Sequence, residues 1–476
     1  MDEDLCYTPA TELAGLLKDR KLAARELLRA CLDRIERVNP QLNAIVTMDP
    51  ERAMREAGEA DQAAAGGGFR GPLHGLPVAV KDLADTAGMR TTYGSPIYAD
   101  HVPEDDAPHV ALLRNAGAII VGKTNTPEFG VGAQTFNPVF GVTRNPYDRS
   151  LTCGGSSGGA AAAVAAGLVP FADGSDLAAS VRNPAAMCGV TGLRTTPGLV
   201  PAGQPATDDI FDPQIVIGPI ARTPADAALL LAGMRGRDRA LPLARGWPGA
   251  ERGRGPAAGL EVPALHGIRI AWSADLGGLP VERDVAEVIG LARKGLAESG
   301  AVITDAEPDL SDTDAVFQVT RALLVAGKFA PLLQTERERM KPALVWNIEK
   351  AFTMDGGQIA AAMRRRSEIF GRMKHFLSGY DVLALPTVQV AAFPVEQEWV
   401  SEINGVPQGS YLDWMRTCSR ITVTGHPAVS VPAGLTAGGL PVGLQLVGRY
   451  GGDLRLLAIA EAVSRRLAPG GLRPAI

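Results

Sequence analysis

The sequence predicts an α/β protein, a β-sheet flanked by helices, and three observations carry that prediction. "LPVAVKD" (Leu76 to Asp82) is a short apolar run rich in β-branched residues, and "GAIIVGKTN" (Gly117 to Asn125) repeats its format. Between them Pro108 to Asn115 reads as helix, which gives the order strand, helix, strand. The alternation returns late in the chain, where "RDVAEVIGLARKGLAESG" precedes "AVITDAEP" and "HFLSGYDVLALPT" joins a helix end to a strand around Ala384.

From the N-terminus, Thr11 to Asn39 is expected to form one amphipathic helix. Leu13, Leu16 and Leu17, then Leu28, Leu32, Ile35 and Val38, recur at three- and four-residue steps, and Pro40 stands at the expected end. This element packs and carries no chemistry. "GGSSGGAAAAVAAG" (Gly154 to Gly167) opens as a flexible loop and runs at once into alanine-rich helix. Leu241 to His266 is rich in Pro, Gly, Ala and Arg and has no period, so residues 241–266 are expected to form an exposed loop or linker insertion.

Composition narrows the function. A chain of 476 residues, 46% hydrophobic and 21% charged, can bury a large core. A formal net charge of -5, with no block of five or more like charges, argues against a nucleic-acid partner. Five cysteines without a C-x-x-C pair fit reduced thiols and a cytoplasmic location, and suggest no metal site. The acidic start "MDEDLCYTPA" and the lack of an 18-residue apolar run argue against export and membrane insertion. Small-molecule chemistry is the remaining expectation, and no cofactor motif is present.

The paired serines of Gly154-Gly155-Ser156-Ser157-Gly158 admit several readings. A phosphate cradle needs a lysine after the glycines, and none follows. The segment matches G-x-S-x-G, but a nucleophile elbow needs a preceding strand, and "NPYDRSLTC" is polar and turn-forming. A glycine-rich loop with incidental serines is the bland alternative. A second small-residue run, "ADGSDLAASVRNPAAMCGVTGLRTTPG", surrounds Ser180 and can turn tightly enough to bare its N–H groups, as an oxyanion hole requires. All six histidines lie far from Ser180 along the chain, and no S-x-x-K motif supplies a base.

In order, "GLPVAVKD", "GKTNTPEFG", "NPYDRSLTCGGSSGG", "GSDLAASVRNPAAMCGVTGLR", "GPIARTPADAALLL" and "TGHPAVSVPAGLTAGGLPVGLQLVGR" resemble the landmark segments of the amidase signature family. The resemblance spans nearly the whole chain and is weakest from about Arg235 to Asp381. It implies a single domain over 1–476 with a large mixed central sheet sandwiched by helices. It also implies a metal-independent amide hydrolase that uses a Ser, cis-Ser, Lys set. Lys81 stands in the place of the family lysine, Ser156 in that of the cis-serine and Ser180 in that of the nucleophile. A free lysine, with a pKa near ~10.4, cannot accept a proton at neutral pH, so burial of Lys81 is required. The backbone N–H groups of Leu177, Ala178, Ala179 and Ser180 are oxyanion candidates, and Gly130 is expected to line the acyl pocket. Ser157 is expected to hydrogen-bond within its loop, and Asp176 and Arg182 to form a scaffolding pair. Cys153 and Cys188 read as packing residues, Lys123 and Asn125 as braces.

One departure stands out. The family usually reads D-T-G-G-S, whereas this chain has Asp176-Leu177-Ala178-Ala179-Ser180, whose added methyls restrict positive φ and narrow the space beside the carbonyl. Two rival functions follow. One is the glutamine-hydrolysing subunit of a tRNA-dependent amidotransferase, which needs a separate partner for the tRNA; the other is a catalytically silent binding protein. The expected partner is a small-molecule amide, with a homodimer as the candidate assembly.

Overall fold

The computed structural model describes residues 3–203, 208–244 and 260–476. Among them, eleven strands form one mixed sheet in the spatial order Ile45–Met48, Ile119–Thr124, Pro77–Lys81, Phe171–Asp176, Val216–Ala221, Thr191–Arg194, Ala428–Leu435, Pro441–Val447, Val382–Pro386, Arg269–Trp272, Val302–Asp305. The Pro77–Lys81 strand is interior and parallel to both neighbours, with Lys81 opposite Thr124 and Ala79 opposite Ala172. All five of its residues are buried, which is why it reads as a continuous apolar run and not as an alternation.

Several expected elements form where the pattern puts them. The helix Pro108–Asn115 and the strands Pro77–Lys81, Ile119–Thr124, Val302–Asp305 and Val382–Pro386 do so. The N-terminal reading needs correction. The expected single helix is two, Ala10–Lys18 and Ala24–Leu42, separated by a turn in which Arg20 takes φ 58°. Pro40 does not end the second helix, since it lies inside its last turn; Asn43, left-handed at φ 55°, is the stop. Of the 241–266 segment, residues 241–244 and 260–266 are turn and irregular, and 245–259 lie outside the described residues.

The alanine-rich helix Gly158–Ala165 is buried on every side and packs on the sheet beside the Phe171–Asp176 strand. Small side chains permit that close approach. At Gly158 a Cβ would stand 2.3 Å from Thr135 Oγ1, so only glycine fits. In a separate layer, the helices Thr313–Thr335 and Pro342–Phe352 close around Val325, Phe329, Leu344 and Ile348, and Gly356–Phe376 packs on the first of them. The first of these is long and apolar enough by length and composition to cross a membrane, and 44% of its most apolar stretch is buried in the protein.

Candidate active site

Lys81 ends its strand with the side chain sealed in the interior, 1% exposed. Its Nζ lies 2.7 Å from Ser156 Oγ, 2.8 Å from Ser157 Oγ and 3.1 Å from Ser175 Oγ. Three hydroxyls suit both states of the amine: all three accept from an ammonium, whereas a neutral amine donates to two and accepts from the third. Burial lowers the Lys81 pKa to about 7, against the opposing pull of the Asp173 and Asp176 carboxylates.

The Gly155–Ser156 peptide bond is cis. The two serine loops lie side by side, since the Ser157 N–H donates to the Ser180 carbonyl at 3.0 Å. Ser156 is buried and Ser180 half-buried, so the hydroxyls step outward from the lysine towards solvent. Among the described residues Ser180 Oγ has no hydrogen-bond partner. Gly130, at φ 72°, flanks the group: a Cβ there would fall 3.6 Å from Ser156 Oγ and 2.8 Å from Leu83 Cδ1.

The loop before Ser180 is held from behind. Arg182 donates to both Asp176 carboxylate oxygens, at 3.1 and 3.0 Å, and to the Ala178 carbonyl at 2.7 Å. Thr422 Oγ1 donates to that same carbonyl at 2.9 Å. Arg194 gives Asp176 a second guanidinium at 3.2 Å. Burial works to raise the Asp176 pKa, but the two arginines outweigh it and hold the carboxyl at about 2. Asp176 and Arg182 are thus a buried pair, with Arg194 as a third member that the linear sequence does not announce.

Other expectations fare unevenly. Ser157 bonds outside its loop instead of within it: its hydroxyl accepts from Lys81 Nζ at 2.8 Å and donates to the Ser175 carbonyl at 3.4 Å. Leu177, Ala178 and Ala179 avoid positive φ, so the expected conflict of the methyls with left-handed backbone does not arise. Both alanines instead pack in the apolar cluster that includes Ala133 and Trp414. Cys153 and Cys188 are buried thiols; burial raises Cys153 to about 12, which suits packing and not attack. Lys123 ties down the loop after Lys81 through Ala84 O, Thr86 and Thr91, and Asn125 secures the following loop through Thr143 and Asn137.

Reading along the chain passes over Ser175, Asp173 and His109. Asp173 Oδ1 accepts from the Lys81 backbone N–H at 2.6 Å while Oδ2 pairs with His109 Nε2 at 2.9 Å. A signal exists: in the strand "FADGSD", Asp173 and Ser175 alternate onto one face. His426, in contrast, is buried beside Phe370 and Tyr450 with Nδ1 2.9 Å from the Thr424 carbonyl, and burial lowers its pKa to about 4. His426→Ala is expected to retain most of the turnover; a loss as deep as that of a Lys81 variant would assign the base to histidine. Among the described residues, no three His, Cys, Asp or Glu side chains gather with metal-ligand spacing.

The site is thus a buried lysine amine set among three serine hydroxyls, beside the braced loop that carries Ser180. The Amidase family model matches residues 26–457, and the chain belongs to that family, the amidase signature enzymes. It is 38% identical over 471 residues to an acylamidase of Rhodococcus erythropolis, covering 97% of this chain and 96% of the relative. It is 36% identical to a glutamyl-tRNA(Gln) amidotransferase subunit of Moorella thermoacetica, covering 96% of each. A crystal structure of a bacterial aryl acylamidase of the amidase signature family superimposes with a TM-score of 0.87 at 29% identity, covering 97% of this chain and 96% of that one. The chain is an amidohydrolase.

Proposed function

We propose that the chain hydrolyses small N-acyl amides through a Ser180 acyl-enzyme, with Ser156 as proton relay and Lys81 as base. The observation that carries this reading is the dry Lys81 amine 2.7 Å from Ser156 Oγ. Neutral Lys81 takes the Ser156 proton as Ser156 takes that of Ser180, and Ser180 Oγ bonds to the amide carbon. The tetrahedral oxyanion collapses, the C–N bond breaks, and the proton returns through Ser156 to the leaving amine. Water, deprotonated along the same path, then releases the acid and restores Ser180.

The pinned carbonyls support the oxyanion assignment. In a trans peptide the C=O and N–H point in opposite directions. Arg182 and Thr422 hold the Ala178 carbonyl and the Asn183 N–H holds that of Ala179, so the N–H groups of Ala179 and Ser180 are aimed the other way. Donors fixed before the reaction need no reorganisation when charge develops. The similarity to an acylamidase and an aryl acylamidase favours small acyl groups on an amine.

The test is a serine-reactive fluorophosphonate followed by peptide mapping. An adduct on Ser180, absent from Ser180→Ala, supports the reading; an adduct on Ser156 overturns it, and no adduct favours a silent binder. A second prediction concerns the alanines. If their methyls trim the pocket, Ala178→Gly with Ala179→Gly should shift kcat/KM towards bulkier acyl groups in a graded series. A uniform loss of up to about thirtyfold, from up to about 1 kcal/mol of loop entropy at each glycine, would show that they set rigidity and not shape.

A further inference from the structure

The helix Thr313–Thr335 bridges the two sides of the candidate site. Near its start, Asp314 accepts from Arg420 at 3.0 and 2.7 Å, which fastens it to the helix Arg416–Val423, the element that carries Thr422 to the Ala178 carbonyl. Further along, Phe329 packs 4.7 Å from Phe129, the residue before Gly130. Phe317 shares a buried apolar cluster with Ala178 and Ala179. Residues 317, 321, 325 and 329 follow at four-residue steps and so lie along one side of the helix.

The second of these positions is an arginine. Arg321 is 2% exposed, yet its Nε and Nη1 have no hydrogen-bond partner. Its Nη2 donates to Gln318 at 3.0 Å, and the Tyr411 hydroxyl lies beside it. Among the described residues no carboxylate pairs with it. The rings of Phe317 and Trp346, 6.0 and 5.4 Å from the guanidinium carbon, cover its faces. Such contacts use the face of the cation and leave the in-plane N–H groups unmet. A buried guanidinium with two idle donors and no counter-ion is costly unless something else supplies the anion. Two further polar atoms nearby in the fold, Asn347 Oδ1 and Trp414 Nε1, are also buried without partners.

We propose that Arg321 receives a carboxylate on the substrate, at the end remote from the reacting amide, with Phe317 and Trp346 flanking it. The preferred substrates are then amides that bear an anionic group, and this rests on the amidase reading above. A carboxylate accepts two parallel N–H bonds from a guanidinium, which a neutral alkyl end cannot do.

The test compares kcat/KM for glutaranilate against valeranilide, and for 4-acetamidobenzoate against acetanilide, which puts the charge on the acyl or the amine side. The parent should favour one anionic member by about tenfold or more over its neutral match. Arg321→Met should erase that preference by lowering kcat/KM for the anionic member about tenfold more than for its neutral match, and Arg321→Lys should keep part of it. Equal losses on both members of a pair, or a parent with no preference for either anion, would overturn the proposal. Fluorophosphonate labelling of Ser180 in each variant separates the two readings: labelling without anion preference sinks only the Arg321 assignment, whereas absent labelling in the parent sinks the hydrolase mechanism. If the parent labels but turns over none of the four, protection of Ser180 by glutarate in the parent and not in Arg321→Met supports the site, and absence of protection removes it.

Discussion

Lys81→Met is expected to lower kcat/KM by at least about 1,000-fold without unfolding the protein, because on the proposed mechanism it removes the base while leaving an apolar side chain of similar length in an apolar strand. The parent enzyme carries the complementary signature. With Lys81 held at about 7 by burial, kcat/KM should rise with pH through that value and then level off, since only the deprotonated amine accepts a proton. The sign follows from the direction of the shift: below about 7 the amine is charged and the relay is blocked. Residual activity in Lys81→Met should lack this limb. A variant that keeps both its rate and its limb would move the base elsewhere, with Lys123 and His109 the next groups to examine.

The second large effect is on stability. Arg182→Met should destabilise the fold by about 3–5 kcal/mol, because it strips the Asp176 carboxylate of its bidentate partner in a site 0% exposed and leaves the Ala178 carbonyl one donor short. Thermal or denaturant unfolding reads this directly. Asp176 also contributes a pH term. Its folded pKa is depressed from 3.8 to about 2, so its stabilisation is present above about pH 4 and drains away as the pH falls towards 2. Asp176→Asn should remove that acid limb. Unchanged unfolding in Arg182→Met would mean that Arg194 alone neutralises Asp176.

What the sequence makes legible is local. The strand that delivers Lys81, its neighbour Ile119–Thr124 and the helix between them are each written in a few adjacent residues, so pattern alone places them. Lys81, Ser156 and Ser180 become a group only through resemblance, since the Lys81–Ser156 contact joins residues 75 apart and no periodicity encodes that closure. Contacts such as Arg182 to Gln445, 263 residues apart, are equally silent in the chain. The N-terminal helix departs from its pattern for a different reason: leucines at three- and four-residue steps stand on both sides of residues 19–23, but a left-handed Arg20 breaks the axis between them without a glycine or proline to announce it. Arg321 is invisible in the sequence because a lone arginine in an apolar helix looks like a solvated face, and only burial with its Nε and Nη1 unmet gives it meaning.

The division between sheet and helical layer has an evolutionary consequence. Lys81, Ser156 and the braced loop are carried by residues 81 to 182, whereas Arg321, Phe317 and Trp346 belong to helices that come later along the chain. The two parts touch where Phe317 packs with Ala178 and Ala179 and where Asp314 holds the helix that carries Thr422, so substitutions there couple, whereas those farther from the shared contacts combine nearly independently. If Arg321 selects the substrate as proposed, a laboratory search for altered selectivity should concentrate its diversity between Thr313 and Phe376, away from Asp314 and Phe317.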